Sequence, residues 1–457
     1  MTTTRRKRPN NSFLLKLVTI ALFIFLAFVT KVSIVFSQAP VDSFPPVEDR
    51  DALAPDPLNS PLAPLSPQIE GFEDLKVALD AILQSKVDSG ELVGIVLLVR
   101  KDGIPVYEGA AGWADREAQT PMDLNALFRL ASVSKSFTAM AAGALISKGQ
   151  LGLDDPVGKY LKAFSSDNPK LKDKRALDIL VRHLLSHQAG FSYVFGEKAG
   201  GPYHQAKVSD GCESKPGLTL EENMERIASL PLLYQPGTNH KYSVASDVLG
   251  AVVSSAYGKT LQESMDELVL KPLNIVDTGF YALNPSILTS HYRSQGKKAM
   301  KMTDPELFNL GNSRVLTLSP GRALDQNEFP SGGCGMVASA QSVMTLLEAV
   351  REDGGTIVSP QVMEGFYKDA IAPRTSSPGE GFGASWAVVL NPKTAKLPVS
   401  PGTIHWGGVY GHNWYVDREN GITVVLLTNT ALKGLYGNLK DQVLKVVYQA
   451  LKNLPKT

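Results

Sequence analysis

The stretch FRLASVSKSFTAM, residues 128–140, places Ser132 three residues before Lys135. Apolar residues then recur at helical spacing, and Gly149 stands where a glycine commonly ends a helix. The serine is therefore predicted at or near a helix N-terminus, with the lysine one turn later on the same face. A serine hydroxyl needs a base to become a good nucleophile, and a lysine in a dry site can serve as that base. A bare S-x-x-K is short, however, and by itself favours an N-cap serine beside a solvated lysine.

The composition of the 457-residue chain is that of a globular protein, with 43% hydrophobic and 20% charged residues. The formal net charge of +1 does not indicate a nucleic-acid-binding protein. The pair His183 and His187 lacks the glutamate pattern of a zinc protease, and Cys212 and Cys334 belong to no Cys/His cluster. There is also no P-loop and no dinucleotide fingerprint. We therefore expect neither a metal nor a cofactor.

Residues 1–39 predict an export segment, either a signal peptide or a membrane anchor. Residues 5–8 are all basic, and Leu17–Thr30 is an uncharged apolar run of 14 residues. As a helix this run would span roughly 21 Å, short of the ~30 Å hydrocarbon core of a membrane. Small residues near positions 37–39 fit a cleavage site. We expect the rest of the chain to be periplasmic, secreted or anchored to the outer face of the cytoplasmic membrane. In that oxidising setting the two cysteines either pair or remain free thiols.

Residues 40–70 contain eight of the 29 prolines and predict an extended linker before a folded domain at 71–455. Two β-hairpins are predicted within that domain, one turning at Asp102-Gly103 and the other at Asn420-Gly421. Helical patterns lie outside them, near residues 72–83 and 435–451, and the middle of the chain is mostly helix and loop. The pattern predicts an α+β fold, with one antiparallel sheet formed by both chain ends beside a helical region.

Four segments follow one another in an order that resembles a known family. They are LFRLASVSKSFTAMAAGALISKGQLGLDDPVGKYL from Leu127, LLSHQAGFSY from Leu184, PGTNHKYSVASDVLGAVV from Pro236 and SGGCGMVASAQSVMTLL from Ser331. Together they resemble the β-lactamase-like serine hydrolases, which include class C β-lactamases, DD-peptidases and family VIII carboxylesterases. The resemblance runs from about residue 72 to 450. It implies a β-lactamase/transpeptidase-like sandwich, with an antiparallel sheet from both chain ends plus an all-helical region.

The resemblance also implies roles for individual residues. Ser132 matches the acylated serine, Lys135 its partner, and Tyr242 the tyrosine that shares acid and base work. A tyrosine accepts a proton near neutral pH only beside cations that stabilise the phenolate, and Lys135 could supply that charge. The family's K-[ST]-G strand motif is matched by Trp406, Gly407 and Gly408. The backbone N–H of Val409 is expected to complete an oxyanion hole with that of Ser132.

Two positions depart from the antibiotic-hydrolysing members of the family. Val244 stands where the Y-x-N motif has asparagine, and its side chain can neither donate nor accept a hydrogen bond. Trp406 stands where the strand motif has a lysine that faces a substrate carboxylate, and His405 or His412 is a candidate to replace part of that charge. The sequence therefore predicts a carboxylesterase-like enzyme whose substrate is a small neutral ester or amide. The W-G-G variant also resembles that of the family VIII carboxylesterases.

Two other hypotheses stay open at this stage. One is a class C-like β-lactamase or DD-peptidase that acts on cell-wall peptides, which the export segment favours. The other is a non-catalytic binding or regulatory protein on the same scaffold, which the intact serine, lysine and tyrosine argue against. An α/β-hydrolase is not expected, because GASWA from Gly383 does not complete G-x-S-x-G and precedes a strand-like segment.

Overall fold

A computed structural model describes residues 73–296 and 298–453. The predicted export segment at residues 1–39 and the predicted linker at residues 40–70 lie outside these residues. No helix in the described part is long and apolar enough to cross a membrane.

Both ends of the chain contribute strands to the main sheet. Its eight strands lie in the order β10-β11-β12-β13-β14-β1-β2-β3, and all neighbours are antiparallel. The strands of the structure are β1 (Gly94–Lys101), β2 (Ile104–Asp115), β3 (Thr120–Pro121), β4 (Leu127–Arg129), β5 (Tyr292–Gln295), β6 (Lys298–Lys301), β7 (Glu306–Asn309), β8 (Val315–Leu318), β9 (Val337–Ser339), β10 (Glu380–Phe382), β11 (Ala387–Val389), β12 (Ile404–Gly408), β13 (His412–Asp417), β14 (Ile422–Thr428) and β15 (Thr430–Ala431).

Helices cover both faces of this sheet. They are α1 (Glu73–Asp88), α2 (Ser134–Ser147), α3 (Val181–Leu185), α4 (Pro202–Gln205), α5 (Leu220–Ala228), α6 (Ala245–Tyr257), α7 (Leu261–Met265), α8 (Ala340–Arg351), α9 (Pro360–Tyr367), α10 (Pro392–Ala395), α11 (Lys433–Tyr436) and α12 (Leu439–Asn453). One face packs on α1 and α12, the first and last helices of the described chain. The other face packs on α8, with α2 and α6 in the larger core beyond. The predicted α+β arrangement is confirmed.

The central strand explains why the sheet is buried on both sides. Every residue from Gly94 to Val99 is buried, and alternate side chains enter the two cores. Val96 and Leu98 face the large helical region, whereas Ile95 and Leu97 face the terminal helices. Both predicted hairpins are present, and their strands β1 and β14 pair with each other in the middle of the sheet.

Three features differ from the sequence-based expectation. Helix α2 is buried on all sides from Ser134 to Leu145, rather than along one apolar stripe. The last helix begins at Leu439, because residues 433–436 form the separate helix α11 and Gly437 is extended. The region 284–330, part of the middle segment expected to be mostly helix and loop, contains two hairpins, β5-β6 and β7-β8. Its strands are only four residues long and give little periodic signal.

Candidate active site

Ser132 lies in a short 3₁₀ turn, Ala131–Val133, that leads directly into α2. Ala131 has a positive φ of 46°, a conformation that is uncommon for a non-glycine residue. The chain before it is fixed, since β4 pairs with β9 and the Leu130 N–H donates to the Met336 carbonyl at 2.8 Å. This strand-to-helix corner holds the serine at the edge of the helical region, where its side chain is partly exposed.

Lys135 is almost completely buried, with 1% exposure, and its amino group points at the serine. Its Nζ donates to Ser132 Oγ at 3.1 Å and to the Gly333 carbonyl at 2.6 Å. The same Nζ lies 4.9 Å from the ring centre of Tyr242 and 5.6 Å from that of Tyr193. A buried charge is costly unless it is paired or hydrogen-bonded, and these oxygens and aromatic faces compensate it.

Tyr242 completes the constellation from a third part of the chain, three residues before α6. Its hydroxyl donates to Ser132 Oγ at 2.7 Å. Its ring is packed between His187, Tyr193 and Trp406, with ring-centre distances of 4.8, 5.1 and 5.2 Å. The structure therefore brings the predicted lysine and tyrosine each within hydrogen-bond distance of Ser132 Oγ, which is the geometry that an activated nucleophile requires.

A buried carboxylate fixes the loop that accepts the hydrogen bond of the lysine. Asp247 Oδ1 accepts from the Ser331 hydroxyl and from the Gly333 N–H, the latter at 3.2 Å. A Cβ on Gly333 would lie 2.5 Å from Asp247 Oδ2, so only glycine fits there. The next residue, Cys334, forms a disulfide with Cys212, which answers the open question of pairing. The Gly333 carbonyl is thus held in place from both sides.

Strand β12 approaches the serine closely because its last residue is glycine. A Cβ on Gly408 would lie 2.5 Å from the Leu130 carbonyl oxygen and 3.5 Å from Ala131 Cβ. This approach brings the next residue, Val409, alongside the corner that carries Ser132. Neither the Ser132 N–H nor the Val409 N–H donates to another backbone carbonyl within residues 73–296 and 298–453. Neither N–H is therefore engaged by the described backbone, and the oxyanion hole that they would form stays a prediction.

The remaining predicted site residues lie in different surroundings. Trp406 faces the site, where its ring centre is 5.2 Å from those of Tyr242 and Phe382. His405 precedes it on β12 and faces the other side of the sheet, where it stacks on Tyr415. A second contact of His405, between Nε2 and a Glu380 carboxylate oxygen at 3.0 Å, holds the ring there.

Two side chains expected at the substrate, those of Val244 and His412, are buried instead. Val244 has 0% exposure and belongs to the main core, so its side chain acts in packing rather than at the site surface. Gly407 permits close packing, since a Cβ there would lie 2.4 Å from the His412 carbonyl oxygen. His412 itself is buried and donates from Nε2 to the Arg129 carbonyl at 2.9 Å. Burial lowers the pKa of His412 to about 4, so it is neutral at pH 7 and supplies no charge.

His187 packs behind Tyr242, with the two ring centres 4.8 Å apart. It is fully buried, and its Nδ1 accepts from the Ser243 N–H at 3.2 Å. Burial and the nearby Lys135 hold the pKa of His187 well below its usual range, so the ring is neutral. No cluster of metal-binding side chains occurs in the described part of the chain.

Three residues that contact this site, Tyr193, Gly333 and Asp247, were not predicted from the sequence. Each lies inside a segment that carries the family resemblance. Membership of that segment is the signal that could have identified it as a site residue. Tyr193 provides an aromatic face for Lys135, and burial together with Tyr242 raises the pKa of its phenol well above the usual range. Gly333 and Asp247 act through a backbone carbonyl and a loop contact, which no local pattern encodes.

Asp210 is a second buried acid close to the lysine. It lies two residues before the bridged Cys212 and accepts the Cys212 N–H at 3.3 Å. Burial raises the pKa of Asp210 to about 7; Asp247 and Glu213 act in the same direction, whereas Lys135 lowers it. The folded protein therefore keeps a proton on this carboxyl under mildly acidic conditions.

Comparison with known proteins adds three findings. The family model described as Beta-lactamase matches residues 79–448. Esterase EstB of Burkholderia gladioli is 39% identical over 379 residues, which cover 82% of this chain and 95% of that protein. A putative D-alanyl-D-alanine carboxypeptidase of Escherichia coli K12 is 30% identical over 395 residues, covering 80% of this chain and 84% of that protein.

The solved structure of EstCE1, described as a hydrolase with promiscuous acyltransferase activity, superimposes with a TM-score of 0.78 at 36% identity. The match covers 83% of this chain and 98% of that chain. With the family match, it confirms the predicted resemblance and the β-lactamase/transpeptidase-like fold.

Replacing Gly408 by alanine should lower kcat/KM for an ester about 100-fold or more without unfolding the protein. The added Cβ meets the Leu130 carbonyl oxygen at 2.5 Å, so β12 must move away from Ser132. Steady-state kinetics and circular dichroism measure the two effects. Gly365→Ala is the matched control, because a Cβ there meets nothing within 4 Å. Unchanged kinetics in Gly408→Ala would contradict the importance of this approach.

Replacing Asp210 by asparagine should stabilise the protein at pH 8 by about 1–3 kcal/mol and have little effect near pH 4. The folded pKa of Asp210 is about 7, whereas an unfolded aspartate titrates near 3.9. As the pH rises from about 3.9 to about 7, the unfolded chain loses the Asp210 proton before the folded protein does. The free energy of unfolding therefore falls as the pH rises. Asparagine cannot ionise and still accepts the Cys212 N–H.

Urea unfolding at the two pH values measures the effect of Asp210→Asn. The exposed Asp167→Asn is the control and should show no such pH dependence. Equal stability of Asp210→Asn and the unchanged protein at pH 8 would show that the carboxyl ionises without cost.

Proposed function

The chain belongs to the Beta-lactamase family and is a serine hydrolase, and from that premise we propose that it cleaves carboxylic esters through an acyl-enzyme on Ser132. The observation that carries the proposal is the shared hydrogen-bond geometry at Ser132 Oγ, which Lys135 Nζ and the Tyr242 hydroxyl approach at 3.1 and 2.7 Å. Its substrates are small molecules, as for the esterases that it resembles.

In the first half of the reaction, Ser132 Oγ attacks the ester carbonyl carbon while its proton passes to the Tyr242–Lys135 pair, which enters the reaction one proton short of its fully protonated form. The carbonyl π electrons move to oxygen, and the N–H groups of Ser132 and Val409 stabilise the resulting oxyanion. When the tetrahedral intermediate collapses, the bond from carbon to the alcohol oxygen breaks. Tyr242 returns the proton to that oxygen, and the alcohol leaves.

In the second half, water takes the place of the alcohol. The Tyr242–Lys135 pair accepts a proton from the water as its oxygen attacks the acyl carbon. Collapse then breaks the bond to Ser132 Oγ, which regains a proton, and the carboxylic acid is released. Lys135 remains held by the Gly333 carbonyl throughout, so its position does not depend on the serine.

A neutral substrate is favoured by the side chains around the serine. Trp406 presents an aromatic ring where the resemblance places a lysine, and it packs against Tyr242 and Phe382. The two histidines that could replace the charge do not do so, because His405 faces the other side of the sheet and His412 is buried and neutral. A substrate carboxylate would meet no compensating charge from these positions.

The test of this proposal compares p-nitrophenyl butyrate with a chromogenic cephalosporin. We expect turnover of the ester to fall about 1,000-fold or more in Ser132→Ala, with little cephalosporin cleavage by the unchanged protein. Ser136→Ala is the matched control, since Ser136 Oγ is buried on the same helix without a hydrogen-bond partner in the described residues. A fluorophosphonate should label the peptide that contains Ser132.

Efficient cephalosporin cleavage would instead support the β-lactamase alternative. Absence of both turnover and labelling would support a non-catalytic scaffold.

We also propose that the enzyme works outside the cytoplasm. The predicted export segment at residues 1–39 supports this, and so does the Cys212–Cys334 disulfide, a bond that is rare in reducing compartments. Mass spectrometry of the protein from fractionated cells, with free thiols blocked at lysis, should find the disulfide intact in the extracytoplasmic fraction. Recovery from the cytoplasm with two blocked thiols would contradict the proposal.

A further inference from the structure

An apolar groove with a volume of about 300 Å³ lies beside the site, between α11 and the hairpins β5-β6 and β7-β8. Its walls include Phe308, Leu432 and Tyr436, and Ser294 lies at its rim. Tyr436 is 75% exposed, which is unusual for a large aromatic side chain. The volume is within the range of small-molecule sites.

The groove begins next to the proposed oxyanion hole. The Leu432 N–H donates to the Val409 carbonyl at 2.9 Å, so the wall of the groove is bonded to a residue of the hole. Phe308 and Ala431 belong to the same apolar cluster as Ala131, the residue before the nucleophile. Apolar packing thus continues from the corner that carries Ser132 to the wall of the groove.

Backbone strain is concentrated at the same place. Leu432 has φ of 59° and ψ of −43°, which is an outlying conformation for a branched side chain. Such residues persist where the surrounding structure imposes them, and they cluster at ligand sites. Here the hydrogen bond to Val409 and the start of α11 at Lys433 impose the conformation, which places Leu432 in the wall of the groove.

The charges at the groove do not favour an ionic ligand. Lys433 lines it, but its amino group lies 3.4 Å from a carboxylate oxygen of Glu91. The other lining side chains named above are aromatic, aliphatic or a hydroxyl. A neutral apolar group is therefore the ligand that fits this surface best.

We propose that this groove binds the alkyl group of the ester substrate, which gives the enzyme a preference for medium-chain over short-chain esters. The inference rests on the proposed function for its connection to Ser132. This alkyl group belongs either to the acyl chain or to the alcohol of the ester, since both present the same apolar surface. Each methylene that leaves water for the groove should raise kcat/KM up to about fourfold.

Two variants change the groove in opposite ways. Ser294→Trp places a large ring at an exposed rim position and fills the groove, whereas Tyr436→Ala removes a wall. Leu307→Ala is the control, because Leu307 is an apolar residue of β7 with 58% exposure that does not line the groove. None of these three side chains is buried, so the changes should not unfold the protein.

The kinetic test measures kcat/KM in two substrate series. One series varies the acyl chain in p-nitrophenyl acetate, butyrate and octanoate, and the other varies the alcohol in ethyl, butyl and octyl acetate. We expect the octyl-to-short ratio to fall about tenfold or more in Ser294→Trp and Tyr436→Ala in one series, and to stay unchanged in Leu307→Ala. The series that responds identifies which half of the ester lies in the groove.

A binding measurement separates this inference from the proposed catalysis. Calorimetry gives the Kd of p-nitrophenyl octanoate and octyl acetate for Ser132→Ala, with and without Ser294→Trp. The added tryptophan should weaken binding of one of the two about tenfold. The inference is overturned if Ser294→Trp leaves the Kd of both esters unchanged, or if the groove variants leave the chain-length ratios unchanged in both series. Either result overturns it even if Ser132-dependent hydrolysis is found. Loss of that hydrolysis alone would overturn only the proposed function.

Discussion

The buried amino group of Lys135 is the constraint on which the site depends. At 1% exposure it has exchanged water for the Ser132 hydroxyl, the Gly333 carbonyl and two aromatic faces. Each of these partners comes from a different segment, so the charge is tolerated only when the whole region is folded. Asp247 and the Cys212–Cys334 disulfide hold the segment that contains Gly333. The carbonyl that accepts the hydrogen bond of Lys135 is therefore fixed in position.

The main sheet positions Val409, whose backbone N–H belongs to the proposed oxyanion hole. The N-terminal strand β1 and the C-terminal strand β14 pair in its centre, and β13 and β12 follow outward. This order carries β12 to the corner before α2, where Gly408 allows backbone contact with Leu130. The oxyanion hole proposed here therefore joins residue 132 to residue 409. A fold that places both chain ends in one sheet is what makes this junction possible.

Turn residues in the sequence predicted the hairpins, because a hairpin depends mainly on residues that are close together in the chain. The Asp102-Gly103 and Asn420-Gly421 turns indicated the two central hairpins, and both are present. The four-residue strands of 284–330 were not predicted, because their pairing depends on each other and on Thr430–Ala431. Family resemblance indicated the serine, lysine and tyrosine. It could not show that Val244 is buried in the core, since burial depends on tertiary packing.

The proposed preference for a neutral ester follows from the hydration that a bound carboxylate would lose. In water it is fully hydrated, whereas beside Trp406 it would face the edge or face of aromatic rings that include Phe382. The nearest histidine on the strand, His405, is engaged with Glu380 on the opposite face, and His412 cannot protonate near pH 7. Under the proposed function, discrimination against acidic peptides arises from an uncompensated desolvation cost, which requires no repulsive contact. A neutral ester avoids that cost and retains the full contribution of its apolar surface.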